Sequence, residues 1–156
     1  LAVVLLAAHL VHPLPFLSPR SDRLTRQYSK MTIARDVAAA VRAQGWTQPV
    51  FVASYQWAAL LRFHGIDAHQ IDGITRPSHF TQTPETLAGR DHVLVFTDEI
   101  IPEETTAGFD PPRRVAMFPL VVRGELIDGY WLLEFTRPPA GTAAARLDRP
   151  GGVFAP

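Results

Sequence analysis

Short apolar runs alternate with polar segments through the middle of the chain. Residues 50–53, 68–71 and 92–97 are three such runs, and their β-branched content is typical of strands that are covered on both faces. Between the first two, residues 55–64 carry apolar side chains at helical spacing, and Ser54 is a suitable cap for the start of a helix. The order strand, helix, strand predicts a βαβ unit with parallel strands.

Two further patterns flank this unit. Residues 30–44 repeat apolar side chains at steps of three and four, which predicts an amphipathic helix. Residues 113–123 and 129–136 alternate, which predicts two antiparallel strands with a turn within 124–128, and Pro119 indicates an edge strand or a bulge. The predicted fold class is α/β, with a small Rossmann-like βαβ core, a mostly parallel sheet and a C-terminal antiparallel β-hairpin.

The N-terminal stretch 1–17 is unusually apolar. It has about a dozen apolar residues before Pro13, whereas a spanning helix needs ~20. We interpret it as the end of a transmembrane helix that begins outside this sequence, and the alternative is a buried helix. No basic segment or clear cleavage site favours a signal peptide. The predicted organisation is the end of the last transmembrane helix at 1–17, a polar connector at 18–29, an α/β domain at 30–137 and a disordered tail at 138–156.

Composition excludes several classes of function. The 156 residues indicate one domain, and 15 basic residues balance 15 acidic ones, so there is no global field to attract nucleic acid. Cysteine is absent, which excludes disulfides, thiolate zinc sites and a cysteine nucleophile. Neither a glycine-rich phosphate loop nor a histidine pair at metal-ligand spacing occurs. We therefore predict no cofactor, no metal and no nucleic-acid partner for this chain.

Candidate ligand-binding residues follow the first two predicted strands. Tyr55 and Gln56 come after the first strand, and Arg76, Ser78 and His79 come after the second. Because the carboxyl ends of parallel strands meet at one edge of a sheet, these side chains predict a binding surface there.

The role of Arg76 has two interpretations. Its planar guanidinium suits a phosphate or a carboxylate, and the alternative is a salt bridge to Asp72, Asp98 or Glu99 that tethers the loop. Asp98 and Glu99 follow the third strand at the same edge, as part of the site or of a solvated loop. No catalytic residue is predicted. A serine hydrolase would need Ser54 or Ser78 within hydrogen-bond reach of a histidine.

Three motifs in order carry a resemblance: Gly45-Trp46, Ser54-Tyr55-Gln56 and Arg76-Pro77-Ser78-His79-Phe80. Together they resemble the C-terminal soluble region of bacterial membrane glycosyltransferases of the GT-C fold, similar to dolichyl-phosphate-mannose–protein mannosyltransferases. The resemblance covers roughly residues 10–136. It implies a parent enzyme that transfers a hexosyl or pentosyl group from a polyprenyl-phosphate donor to a lipid, glycan or protein acceptor.

The resemblance also implies a location and a division of labour. The catalytic carboxylate of that family lies in the first extracytoplasmic loop, which this chain does not contain, so the fragment alone is expected to be inactive. The parent would lie in the inner (cytoplasmic) membrane, with this domain on the extracytoplasmic side. The partners implied are the membrane, through the N-terminal apolar segment, and the donor and acceptor, through the parent.

Basic residues next to the apolar stretch conflict with this sidedness. Arg20, Arg23 and Arg26 would favour a cytoplasmic flank, but large domains translocate with little regard to flanking charge, and we follow the resemblance. The arginines then face lipid head groups or the donor phosphate, or belong to a solvated linker. The alternative to an accessory enzyme domain is a membrane-tethered, non-catalytic module that recognises a glycan or a protein.

Overall fold

The structure is a computed structural model that describes residues 18–76, 84–98 and 100–139, together with Val3, Val4 and Ala7, which are helical. Its helices and strands alternate in the first half of the domain, and a long hairpin closes the second half. The elements are α1 Arg23–Ala43, β1 Val50–Val52, α2 Tyr55–Phe63, β2 Ala68–Gln70, β3 His92–Thr97, β4 Arg113–Val122 and β5 Glu125–Thr136.

The strands form one mixed sheet in the order β2-β1-β3-β5-β4. Strands β1, β2 and β3 are parallel, β5 runs antiparallel to β3, and β4 pairs antiparallel with β5. The α/β class is confirmed, as are the parallel part of the sheet and the antiparallel hairpin that follows it.

Two predicted segments fall mainly outside the described residues. The apolar stretch 1–17 is described only at Val3, Val4 and Ala7, and the tail is described only as far as Pro139. Within the part of the chain that the structure describes, no helix is both long enough and apolar enough to cross a membrane.

The first helix begins at Arg23, earlier than the predicted start at residue 30, so that part of the predicted connector is helical. Asp22 explains the early start, because its side chain accepts hydrogen bonds from the Thr25 amide at 3.0 Å and the Thr25 hydroxyl at 2.9 Å. Gly45, at φ 65°, ends the helix, and the amide of Trp46 bonds to the carbonyl of Val41 at 3.3 Å.

Both helices cover one face of the sheet, and loops cover the other. The helical face buries apolar side chains of α1 and α2 against alternate residues of β1, β3, β5 and β4. The opposite face buries a smaller cluster under the loops that precede and follow β3: Phe51, Ile71, Leu87, Val93, Val95 and Phe135. Strand β1 is buried on both faces, as its continuous apolar run predicted.

The hairpin turn lies earlier than the centre of the predicted window. Arg123 and Gly124 occupy the two central positions with φ of 54° and 82°, and Val122 pairs with Glu125. Positive φ at both positions is the mark of a two-residue type I′ turn. Strand β5 therefore begins at Glu125 and not at residue 129. Pro119 lies in β4, which is an edge strand as predicted.

Candidate functional site

A crevice is expected where β1 and β3 end, because their connections leave in opposite directions. The two strands are parallel neighbours; β1 continues through α2 to β2, while β3 leads towards β4 on the other side of the sheet. Ligands of open α/β sheets bind outside the carboxyl ends of the strands at such a switch point. Ser54, Tyr55 and Asp98 lie directly after these two strand ends.

A buried glutamine holds the loop after β2 against this position. The side-chain amide of Gln70 donates to the Thr75 hydroxyl at 2.9 Å and to the Arg76 carbonyl at 3.3 Å, and the Thr75 hydroxyl donates to the Ala53 carbonyl at 2.6 Å. Gln70 is only 3% exposed. These bonds fix the backbone of Arg76 beside the end of β1, next to the start of α2.

The structure thus brings together three of the five residues that the sequence indicated. Tyr55 is half-buried in the first turn of α2, Gln56 is exposed beside it, and Arg76 is exposed at the end of the tethered loop. Ser78 and His79 lie outside the described residues. Within the described part of the chain Arg76 has no ion-pair partner, so neither Asp72 nor Asp98 tethers it there; Glu99 is not described.

Asp98 and Tyr130 form the ionisable pair at this edge. The Tyr130 hydroxyl hydrogen-bonds to the Asp98 carboxylate, on the helical face of the sheet. Partial burial of the Asp98 carboxyl raises its pKa above the ordinary value, and the charge of Asp128 adds to this, while Lys30 and the Tyr130 hydrogen bond oppose it. A carboxyl group with a raised pKa in a crevice is a candidate functional group.

Tyr130 stays neutral at physiological pH. Burial raises the pKa of its phenol strongly, and the negative charges of Asp98 and Asp128 add to that effect. The phenol is therefore a permanent hydrogen-bond donor to the carboxylate. Its ring is 1% exposed, packs edge-on against Trp57 at 4.9 Å and stacks with Phe96 at 5.7 Å.

Lys30 completes the surroundings of the pair from α1. Its ammonium lies 5.5 Å from the centroid of the Trp57 ring, and its charge acts on Asp98. A cation and a carboxyl group therefore lie near each other at this edge of the sheet, outside a buried aromatic cluster of Trp57, Phe96 and Tyr130. That arrangement suits the binding of a hydroxyl-rich or anionic ligand, in which hydroxyls donate to Asp98 and anionic groups meet Lys30 or Arg76.

A serine nucleophile and a metal site have less support among the described residues. Ser54 is engaged as the cap of α2, where its hydroxyl accepts from the Trp57 amide at 3.5 Å. No group of three or more histidine, aspartate or glutamate side chains is arranged to hold a metal ion in residues 18–76, 84–98 and 100–139.

Two larger clefts open on the opposite face of the sheet. One of about 530 Å³ lies between the residues after β2 and the loop after β3, and one of about 400 Å³ lies under Ile100 and Trp131. Their arginines are already engaged: Arg137 packs on Phe109, and Arg114 packs on Trp131. The candidate site at the switch point rests instead on the tethered loop and on the polar side chains that follow β1 and β2.

Sequence reasoning did not assign roles to Tyr130 or Lys30. Tyr130 comes close to Asp98 because Thr97 pairs with Trp131, a register that no local motif reveals. Lys30 lies in the second turn of a helix that was predicted to start there, and its position over Trp57 depends on how α1 packs. Scans of protein-family models and searches of curated proteins and of solved structures return no match for this chain.

Proposed function

We propose that this α/β domain is the ligand-binding accessory domain of a membrane glycosyltransferase that uses a polyprenyl-phosphate sugar. The order of the three motifs from Gly45 to Phe80 supports the family, and the topological switch point at the ends of β1 and β3 supports ligand binding. Within this proposal the β1–α2–β2 unit is a Rossmann-like core that presents Tyr55, Gln56 and Arg76 to the acceptor side of the parent's active site.

The observation that carries the proposal is the tether from Gln70 through Thr75 to Ala53. It holds the backbone of Arg76 near Ala53, at the end of β1, and Arg76 has no ion-pair partner within the described chain. A loop backbone that is already held in this way loses less conformational freedom on binding than a free loop would. Asp98 and Lys30 offer further polar contacts for a sugar or an acceptor.

The residues that make and break bonds are proposed to lie elsewhere in the parent. Displacement at the anomeric carbon needs a carboxylate aligned with donor and acceptor, and Asp98 is instead hydrogen-bonded to a buried tyrosine. The sidedness of the proposal is extracytoplasmic, at the inner membrane, with the apolar residues 1–17 as the connection to the parent's membrane part.

The second candidate function is a membrane-tethered module that binds a glycan or a protein without catalysing a reaction. The polar side chains of Tyr55, Gln56 and Arg76, which are exposed or half-buried after the ends of β1 and β2, favour it equally, because hydroxyl or charged groups of a glycan or a protein would meet the same donors and acceptors. The two functions share the crevice and differ in whether a catalytic membrane part is attached.

A transfer assay separates these functions. The 156-residue chain and its parent protein are each incubated with a polyprenyl-phosphate sugar and a lipid acceptor, and glycosylated product is measured. We expect product with the parent and none with the 156-residue chain alone. Turnover by this chain would overturn the division of labour, and a parent without donor-dependent transfer would favour the binding module.

A further inference from the structure

Basic side chains converge on a small depression in the N-terminal half of α1. Arg23, Arg26, Gln27 and Lys30 line it, and its volume is about 240 Å³. Because these residues are three or four positions apart along the helix, they share one side of it. Each lining side chain ends in hydrogen-bond donors, only Gln27 also offers an acceptor, and none of them is acidic.

Within the described residues, the two arginines of this basic depression lack the ion pairs that other arginines of the domain form, and the charge of Lys30 acts on Asp98. Arg35 pairs with Asp36 at 3.1 Å, and Arg90 pairs with Glu85 at 2.8 Å. Arg23 has no ion pair within the described residues. Arg26 donates from one terminal nitrogen to the Arg20 carbonyl at 3.2 Å, while its Nε is buried and without a hydrogen-bond partner in the described chain.

This arrangement costs free energy unless an anion is present. Like charges on one side of a helix repel each other, and a buried donor without a partner retains its desolvation cost. A phosphate group supplies both missing components, since its oxygens accept hydrogen bonds and its charge offsets the repulsion. Arginine forks match the geometry of phosphate oxygens.

The size of the depression limits how much of a ligand it can hold. Sites for complete small molecules have volumes of about 300–1,000 Å³, and this one is below that range. It fits one phosphate group and leaves the rest of the molecule outside. Lys30 is also near enough to Asp98 for its charge to act on that carboxyl, so the remainder of a bound molecule would extend towards the switch point.

We propose that Arg23, Arg26 and Lys30 form a binding site for a phosphate group, carried either by a soluble phosphomonoester or by the head group of a lipid. The site rests on the charges and donors of α1 alone. It stands or falls independently of the proposed glycosyltransferase role, because it can be measured on the 156-residue chain without any transfer reaction.

Two binding measurements on that chain test the site. Soluble glycerol phosphate is titrated at constant ionic strength and followed by calorimetry, with sodium chloride as the reference. In parallel, the chain is sedimented with phosphatidylcholine vesicles that contain phosphatidic acid, and with phosphatidylcholine alone. The variants are Arg23→Gln in the site, Arg35→Gln as a matched control that removes one charge from the same helix, and Lys30→Arg, which keeps the charge.

We expect Arg23→Gln to weaken binding about fivefold, near the upper end of what one exposed charge pair contributes. Arg35→Gln and Lys30→Arg should stay within twofold of the unaltered chain, and all variants should keep its thermal midpoint. Binding to glycerol phosphate alone identifies a soluble phosphomonoester, and binding to the acidic vesicles alone identifies a lipid head group. No binding to either, or an equal loss in Arg35→Gln, overturns the proposal.

Discussion

The hydroxyl of Thr75 donates a 2.6 Å hydrogen bond to the backbone carbonyl of Ala53. This bond joins the loop after β2 to the end of β1, across the edge at which ligands of open α/β sheets bind. The same hydroxyl accepts from Gln70 at 2.9 Å, so one side chain connects the interior of the domain to the loop that carries Arg76.

Replacing Thr75 tests this connection. Thr75→Val keeps the shape of the side chain but leaves the Ala53 carbonyl and the Gln70 amide without this partner. We expect the free energy of unfolding to fall by about 1–2 kcal/mol, the usual cost of unsatisfied, partly buried polar groups. Urea denaturation measures it, and Thr47→Val, at an exposed loop position, is the control. Equal losses in both variants would show that the tether contributes nothing specific.

From the raised pKa of Asp98 we expect its contribution to the free energy of unfolding to fall as the pH rises. Its folded pKa is raised above the ordinary 3.8, mainly by burial, so the native state binds its proton more tightly than the unfolded chain does. The stabilisation is present below the unfolded pKa and is lost as pH rises through the folded pKa. The free energy of unfolding of Asp98→Asn, minus that of the unaltered chain, should therefore be larger at pH 7 than at pH 4.

Urea denaturation of both proteins across that pH range measures the difference. The sign is the decisive observation, because Asn retains an oxygen that accepts from Tyr130 but cannot ionise. A stability difference that does not change between pH 4 and pH 7 would contradict the raised pKa of the Asp98 carboxyl.

From the lowered pKa of Glu134, near the other end of β3, we expect the opposite pH dependence of stability. Burial alone would raise its pKa, but hydrogen bonds from His92 at 2.5 Å and Arg113 at 2.6 Å outweigh it and hold the pKa below the ordinary 4.5. The native state then favours the charged form, so this stabilisation is present above pH 4.5 and is lost as pH falls.

Glu134→Gln removes that contribution. We expect the variant to be less stable than the unaltered chain at pH 7, and the gap to narrow as the pH is lowered towards 3 in the same urea experiment. A gap that widens on acidification would mean that the carboxylate is destabilising in the folded state. The two carboxyl variants, measured together, serve as controls for each other because their expected slopes have opposite signs.

The sequence predicts the elements of this fold better than it predicts the site. The apolar run at β3 and the cap at Ser54 are local signals, and both are confirmed. The start of α1 was wrong because a polar, arginine-rich segment gives no amphipathic signal, although Asp22 before Thr25 is a usable cap.

The neighbours of Asp98 could not be predicted for a different reason. Tyr130 reaches it only through the pairing of β3 with β5, in which Thr97 lies opposite Trp131, and no tight turn joins these two strands. No local pattern specifies that pairing, and a shift of one residue moves each side chain to the other face. Contacts that depend on pairing between distant strands are absent from any local pattern.

The ligand-binding role of this edge of the sheet is tested by the transfer activity of the parent protein that carries Arg76→Ala. We expect transfer to fall about tenfold, the contribution of one charged hydrogen bond, while the thermal midpoint of the domain stays the same. Arg35→Ala, at an exposed position on α1, is the matched control and should transfer normally. Unchanged transfer in Arg76→Ala, or a domain that unfolds, would contradict a ligand-binding role for this edge of the sheet.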